Sequence, residues 1–106
     1  MNNKKYIIKH KFHAKKVEID DISFPSKKEA TRYKQLKTLQ EEGVVLFFLR
    51  QVPLHLPGGV KYVCDFLVFL ADGNVRFEDV KGFKTETYKI KKKIVEDVYP
   101  IEIFEI

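Results

Sequence analysis

Two aspartates and a lysine are the groups in this chain best placed to do chemistry. In "VRFEDVKGF" (residues 75–83) Asp79 and Lys81 stand two positions apart, and in "KYVCDFLVFL" (residues 61–70) Asp65 interrupts an apolar run. Side chains two apart on a strand share a face, so Asp79 and Lys81 project together while Glu78 projects the other way. Two acids gathered inside an apolar sheet repel each other and lose their water, which is costly unless a cation lies between them. Mg²⁺ suits that place: it takes oxygen ligands, often only one or two carboxylates, and completes its shell with water and substrate phosphate. An ion so held polarises a phosphoryl oxygen and helps generate hydroxide from a bound water. Lys81 would orient or help deprotonate that water and offset charge on the phosphate. The competing reading is an ion pair in which Lys81 merely neutralises the aspartates.

Whether Asp65 joins the pair depends on the turn between the two strands. A three-residue Ala71-Asp72-Gly73 loop with Gly73 left-handed pairs Leu70 with Asn74 and sets Asp65 opposite Asp79. A two-residue Asp72-Gly73 turn shifts the register by one and sets Asp65 on the face of Glu78 instead. The first register gathers all three groups and is preferred. Glu78 is a secondary candidate that rests on the second register; in the first it pairs with a lysine or Arg76.

The surrounding sequence must supply the elements that position these groups. "SKKEATRYKQLKTLQEEG" predicts a helix over about 27–42, with Ser26 as N-cap, Glu29 completing a capping box and Gly43 as the stop. Ala30, Tyr33, Leu36 and Leu39 form its apolar stripe. Before it, "VEIDDISFPS" reads as a small hairpin. Residues 44–56 are extended, with Pro53 marking an edge, a bulge or a break, and Pro57-Gly58-Gly59 is a turn. Residues 61–70, apolar on both faces, predict a central strand covered on both sides. A second helix over about 86–98 carries Ile90, Ile94 and Val98 on one stripe and stops before Pro100. "IEIFEI" closes the chain as a strand. The order is a hairpin, then helix, three strands, helix, strand.

A chain of 106 residues suits one domain with a single core, and 44% hydrophobic content is that of a globular protein. No run of 18 apolar residues occurs, the N-terminal segment lacks a signal-peptide core, and the lone Cys64 cannot form an internal disulfide. The expectation is a soluble cytoplasmic protein. The net charge of +5 is unevenly spread: residues 1–16 form a basic arm with six lysines and no acid, and Lys84, Lys89, Lys91, Lys92 and Lys93 cluster late in the chain. Clustered lysine is the footprint of a phosphate-binding surface, with solvated faces as the plain alternative. His10, His13 and His55 show no metal-ligand spacing with one another or with Cys64. Gly58-Gly59 is not followed by Lys-Ser/Thr, which disfavours an NTPase.

The sequence "SKKEA" on a helix, "CDF" on a strand, "EDVKG" on the next strand and then a Lys-rich helix resembles the PD-(D/E)XK, or restriction-endonuclease-like, nuclease superfamily, over about Ala14 to Ile106. It is most similar to a group of small phage-associated proteins with that core; Holliday-junction resolvases and transposon end-cleaving nucleases are more distant relatives. The resemblance implies an α/β fold with a restriction-endonuclease-like core. It makes Asp65 the first motif acid, Asp79 the second and Lys81 the motif lysine, with Cys64 where the motif's name has proline. It also implies that Glu29 adds a helix carboxylate to the metal set, against its competing explanation as a helix cap.

The implied activity is that of a Mg²⁺-dependent endonuclease, with Mn²⁺ as substitute, hydrolysing phosphodiester bonds of DNA, with RNA not excluded. The setting would be the cytoplasm of a bacterial host. The same resemblance places Gln51 near a metal water or phosphate and Tyr88, Lys89 and Lys92 on a helix flanking the scissile phosphate. Lys84, Lys15 and Lys16 complete the expected grip on nucleic acid. No recognition helix or zinc module is evident, so structure-selective or low-specificity cutting is expected, and a two-fold dimer would suit a branched substrate. The alternatives are a non-catalytic nucleic-acid-binding protein on the same fold and a protein-interaction module with solvated lysines.

Overall fold

Two short strands open the fold in the computed structural model, which describes residues 16–106. Lys15 and most of the basic arm lie outside the described residues; Lys16 is exposed. Strands β1 (Val17–Ile19) and β2 (Ile22–Phe24) pair antiparallel around Asp20-Asp21, whose φ angles of 53° and 62° are those a two-residue hairpin turn demands. The Tyr33 hydroxyl donates to Asp20 Oδ2 at 2.8 Å and ties this hairpin to the first helix.

Helix α1 (Lys27–Glu41) begins where its cap predicts, with the Glu29 backbone N–H donating to Ser26 Oγ at 3.1 Å. Gly43, at φ 83°, closes it: its N–H donates to the Gln40 carbonyl and the next N–H, of Val44, to the Leu39 carbonyl. Ala30, Tyr33 and Leu36 bury the apolar stripe against Phe24, Val45, Phe66, Val68 and Val80.

The main sheet has four strands in the order β3 (Val45–Leu56), β4 (Val60–Leu70), β5 (Val75–Asp79) and β6 (Ile103–Glu105). The first three run antiparallel, and β6 lies parallel to β5 after the crossover through helix α2 (Glu86–Val98). Strand β3 is an edge, where Pro53 is tolerated without a backbone donor. On β5, Phe77 packs into the cluster of Tyr88 and Val95 from α2, while its neighbour Glu78 bonds Arg32 of α1. The helices therefore cover opposite faces of the sheet, giving a mixed α/β architecture in the order read from the sequence.

Two expectations are corrected. Strand β4 is central but not covered throughout, since Val63 is exposed and Leu67 and Phe69 are only half-buried. The stripe expected to bury α2 also faces outward: Ile90, Ile94 and Val98 are 57%, 36% and 46% exposed, and Tyr88 and Val95 are buried instead. On the buried face Tyr88 and Val95 pack with Tyr62, Cys64 and Ile103, and the Tyr88 phenol donates to Glu105 Oε2 of β6 at 2.8 Å beneath the Lys81 ammonium. Among the described residues, no helix is long and apolar enough to cross a membrane.

Candidate functional site

The β4–β5 turn decides which acids meet. Gly73 takes φ 95°, its N–H donates to the Leu70 carbonyl at 3.0 Å, and the Leu70 N–H donates to the Asn74 carbonyl at 2.9 Å. This is the three-residue loop. Phe66 pairs with Glu78 and Val68 with Arg76, and the same register carried one step further sets Asp65 opposite Asp79. The Val80 N–H, just past β5, donates to Asp65 Oδ2 at 2.9 Å and locks the two acids in that relation.

Asp79 is fully buried, and its two oxygens fare differently. Oδ2 accepts from the Tyr62 hydroxyl and lies 3.7 Å from Lys81 Nζ, whereas Oδ1 has no hydrogen-bond partner among the described residues. Burial, and then the adjoining Asp65 carboxyl, push the Asp79 carboxyl up to about 7, against the pull of Tyr62 and Lys81. Lys81 stands beyond the end of β5 with its ammonium 4.8 Å from the centre of the Tyr88 ring, so the lysine is braced from one side by an aromatic face and from the other by Asp79.

Glu29 arrives from the first turn of α1. Its backbone N–H serves the Ser26 cap, but its side chain is 3% exposed and is held by Gln51 Nε2 at 3.3 Å and Arg50 Nη2 at 3.5 Å, which is no capping-box closure. Burial and then the Asp65 charge raise its carboxyl, with Arg50 and Lys81 opposing. Gln51 bridges the acids, its Nε2 lying 3.4 Å from Asp65 Oδ1 as well. It sits in the gap of the β3–β4 ladder between the Arg50–Phe66 and Val52–Cys64 pairs, at φ 53°, a left-handed conformation unusual for a side chain of its kind.

Several expected residues lie elsewhere. Glu78 is directed away from the site and held by Arg32 through two bonds of 2.7 and 2.8 Å, with Arg76 Nε 3.5 Å away. Lys84 and Lys92 lie 2.9 and 3.8 Å from Glu105, and Lys89 lies 3.3 Å from Glu86, so each of these three lysines expected on nucleic acid has an acid beside it. Cys64 is buried and its thiol is pushed up to about 12, chiefly by desolvation, which leaves it inert as a nucleophile. Reasoning from the sequence missed Tyr62, Arg50 and Arg32. Tyr62 is an odd number of residues from Asp65, so strict strand alternation puts the two on opposite faces and hides the contact of Tyr62 with Asp79.

The donors gathered at Asp65, Asp79 and Glu29 are all oxygen, the set that a hard cation takes. Among the described residues, no three His, Cys, Asp or Glu side chains converge in ligating geometry. The unpartnered Oδ1 of Asp79, wholly buried beside a second carboxylate, is nevertheless a place that a cation would satisfy.

The family model described as "protein of unknown function (DUF1064)" matches residues 9–103. The chain belongs to this family. The DUF1064 match takes in all of α1, β3, β4, β5 and α2, and with them Glu29, Asp65, Asp79 and Lys81. No curated protein matches the chain.

Proposed function

We propose that this protein is a metal-dependent endonuclease on a restriction-endonuclease-like core, hydrolysing phosphodiester bonds of DNA. The observation that carries the proposal is the buried Asp79 carboxylate, unpartnered at Oδ1, pressed against Asp65 and 3.7 Å from the Lys81 ammonium. A structural acid would be neutralised on both oxygens; this one is left with a free ligand atom.

In this reading Asp65, Asp79 and Glu29, which do not converge on one point as they stand, would hold Mg²⁺ or Mn²⁺; when bound, the ion would polarise a phosphoryl oxygen and make a water acidic. Tyr62 fixes Asp79 through Oδ2 so that Oδ1 stays available, and Gln51 holds Glu29 and Asp65 in one arrangement. Lys81 offsets charge growing on the phosphate. Asp79 must be ionised to serve as a ligand and burial raises its carboxyl, so metal affinity, and with it cutting at limiting metal, rises with pH. Lys84, Lys89 and Lys92 steer the strand only if they trade their acidic neighbours for phosphates. The activity would belong to the cytoplasm of a bacterial host, on branched or otherwise unspecific DNA, with a dimer suited to a two-fold substrate.

A second reading, non-catalytic nucleic-acid binding on the same fold, is favoured by one observation: Tyr62 and Lys81 already satisfy Asp79 Oδ2. The two separate on cleavage of labelled duplex, single strand, flap and four-way junction with Mg²⁺, Mn²⁺ or EDTA. The nuclease reading expects metal-dependent cutting that falls ~10²–10³-fold in Asp79→Ala and in Lys81→Ala. Salt-sensitive binding without cutting under any metal would leave the binding reading standing.

A further inference from the structure

A cleft of about 310 Å³ opens beside the carboxylate site, between the start of β4, the segment after β5 and the first turns of α2. Lys61, Lys81 and Lys91 line it, together with Tyr62, Thr87 and Tyr88. Among the described residues none of those lining it is an acid, Lys61 and Lys91 have no carboxylate beside them, and Lys81 has only the Asp79 carboxylate of the adjoining site. The cleft therefore suits a compact anion.

A contrast with three neighbouring lysines, and the meeting at one place of two that are unpaired among the described residues, single it out. Lys84, Lys89 and Lys92 each have a carboxylate within 4.0 Å. Among the described residues Lys61 and Lys91 have none, and Lys91 Nζ is instead steadied by the Lys61 carbonyl oxygen at 3.4 Å. That bond uses one of three ammonium protons and draws the two lysines to one place while leaving both charges uncompensated. Lysine acts on phosphate as a point charge on a flexible stem, and the Thr87 hydroxyl adds a neutral donor.

We propose that this cleft binds a backbone phosphate of a nucleic-acid strand, adjacent to the phosphate that Lys81 faces at the carboxylate site. The naming of the ligand as nucleic acid rests on the nuclease reading; the anion site itself rests on the cleft. Because Lys81 and Tyr62 belong to both the cleft and the surroundings of Asp79, a strand lying across them is fixed in register with the carboxylates. Phosphate contacts of this kind orient a strand without reading its bases.

The test is binding in EDTA, where cutting cannot interfere. Fluorescence anisotropy of labelled duplex and four-way junction is followed from 50 to 200 mM KCl for the wild type, the double variant Lys61→Gln/Lys91→Gln, and a control of equal charge change, Lys34→Gln/Lys37→Gln on exposed positions of α1. The expected result is a salt slope smaller by about 1 and ~10-fold weaker binding in the cleft variant, both larger than in the control. Lysine acetylation footprinting of the wild type supplies a readout free of folding effects: Lys61 and Lys91 should be protected by DNA while Lys34 is not. Equal slopes in the two variants with no protection of Lys61 and Lys91 would overturn the cleft, even if metal-dependent cutting persists. Cleft-dependent binding without any cutting would sink the nuclease reading and leave the cleft in place. No binding by the wild type would remove the cleft, and the nuclease reading would then stand or fall on cutting with metal alone.

Discussion

Glu78 and Asp79 are consecutive residues on one strand, and both are fully buried, yet they live in opposite electrostatic worlds. Glu78 faces α1 and meets a bidentate Arg32 and the nearby Arg76; none of its oxygens is left over. Asp79 faces the other way, toward Asp65, with one oxygen shared by a phenol and a lysine and the other unpartnered. Burial removes water from both carboxylates equally. What differs is the supply of positive charge, and the pKa reports it: Asp79 is pushed up to about 7 by desolvation and a neighbouring acid. A buried acid with its charge balanced holds the fold together; one left short of charge invites a proton or a metal.

The sharpest way to break this comparison is to remove each charge in turn. Glu78→Gln strands Arg32 and Arg76 beside an amide and should cost about 2–3 kcal/mol, somewhat less than a wholly buried pair because Arg32 keeps some solvent contact. Asp79→Asn should do the reverse at pH 8. The native Asp79 carboxyl binds its proton more tightly than the unfolded chain does, so its contribution is full below about pH 4 and fades as pH rises through about 7. The amide carries no charge to desolvate. Its melting temperature should therefore exceed the wild type's by several degrees at pH 8, with the gap narrowing as pH falls and closing below about pH 4. Urea titration at pH 8 reads both variants; a stabilising Glu78→Gln or a destabilising Asp79→Asn would dissolve the contrast.

Much of this pair was legible before the fold was known. The loop Ala71-Asp72-Gly73 fixed the register because glycine alone takes φ 95° without cost, and register decides which acid meets which. Alternation alone sent Glu78 to the far face. The Ser26 cap set the start of α1 and offered Glu29 a second explanation as a capping-box residue, but its side chain accepts from Gln51 and Arg50 instead. Other features were not legible because they depend on contacts far apart in sequence. Helix α2 offers more than one apolar stripe, and the buried one, with Tyr88 and Val95, is set by packing on β4 and β6 that local periodicity does not show. The cleft lysines, Lys61 and Lys91, are 30 residues apart and meet only through a backbone carbonyl.

A cation sharpens the comparison from the side of the deficient acid. If Asp65, Asp79 and Glu29 hold Mg²⁺, then at pH 8 the ion should raise the melting temperature by the binding linkage, ~1.4 kcal/mol at ten times its dissociation constant, or a few degrees for a domain of this size. Ca²⁺ should do the same without supporting cutting. The shift should shrink at pH 5, where the proton competes for Asp79, and vanish in Asp79→Asn, while Glu78→Gln should retain it. Differential scanning fluorimetry with and without the ion checks all four cases. An equal shift in wild type and Asp79→Asn would place the ion elsewhere.

The smallest effect concerns the residue that holds the deficient side together. Gln51 keeps φ 53° while its amide reaches Glu29 and Asp65, so the backbone strain and the bridge are two aspects of one position. Gly tolerates that φ freely, and Gln51→Gly should relieve ~1 kcal/mol of local strain. The gain is offset by the freer unfolded chain and by the lost amide, leaving stability within about 1 kcal/mol of the wild type. Gln51→Ala loses the same bridge but keeps the strain, and should therefore be the less stable of the two. If the bridge merely tidies a strand edge, both variants cut DNA like the wild type. If it arranges the two carboxylates, both need more Mg²⁺ to reach full rate, and the Glu29 and Asp65 side chains act as separate acids. A metal titration of the cleavage rate, set beside the urea midpoints, separates the strain from the bridge, because only the midpoints differ between Gly and Ala.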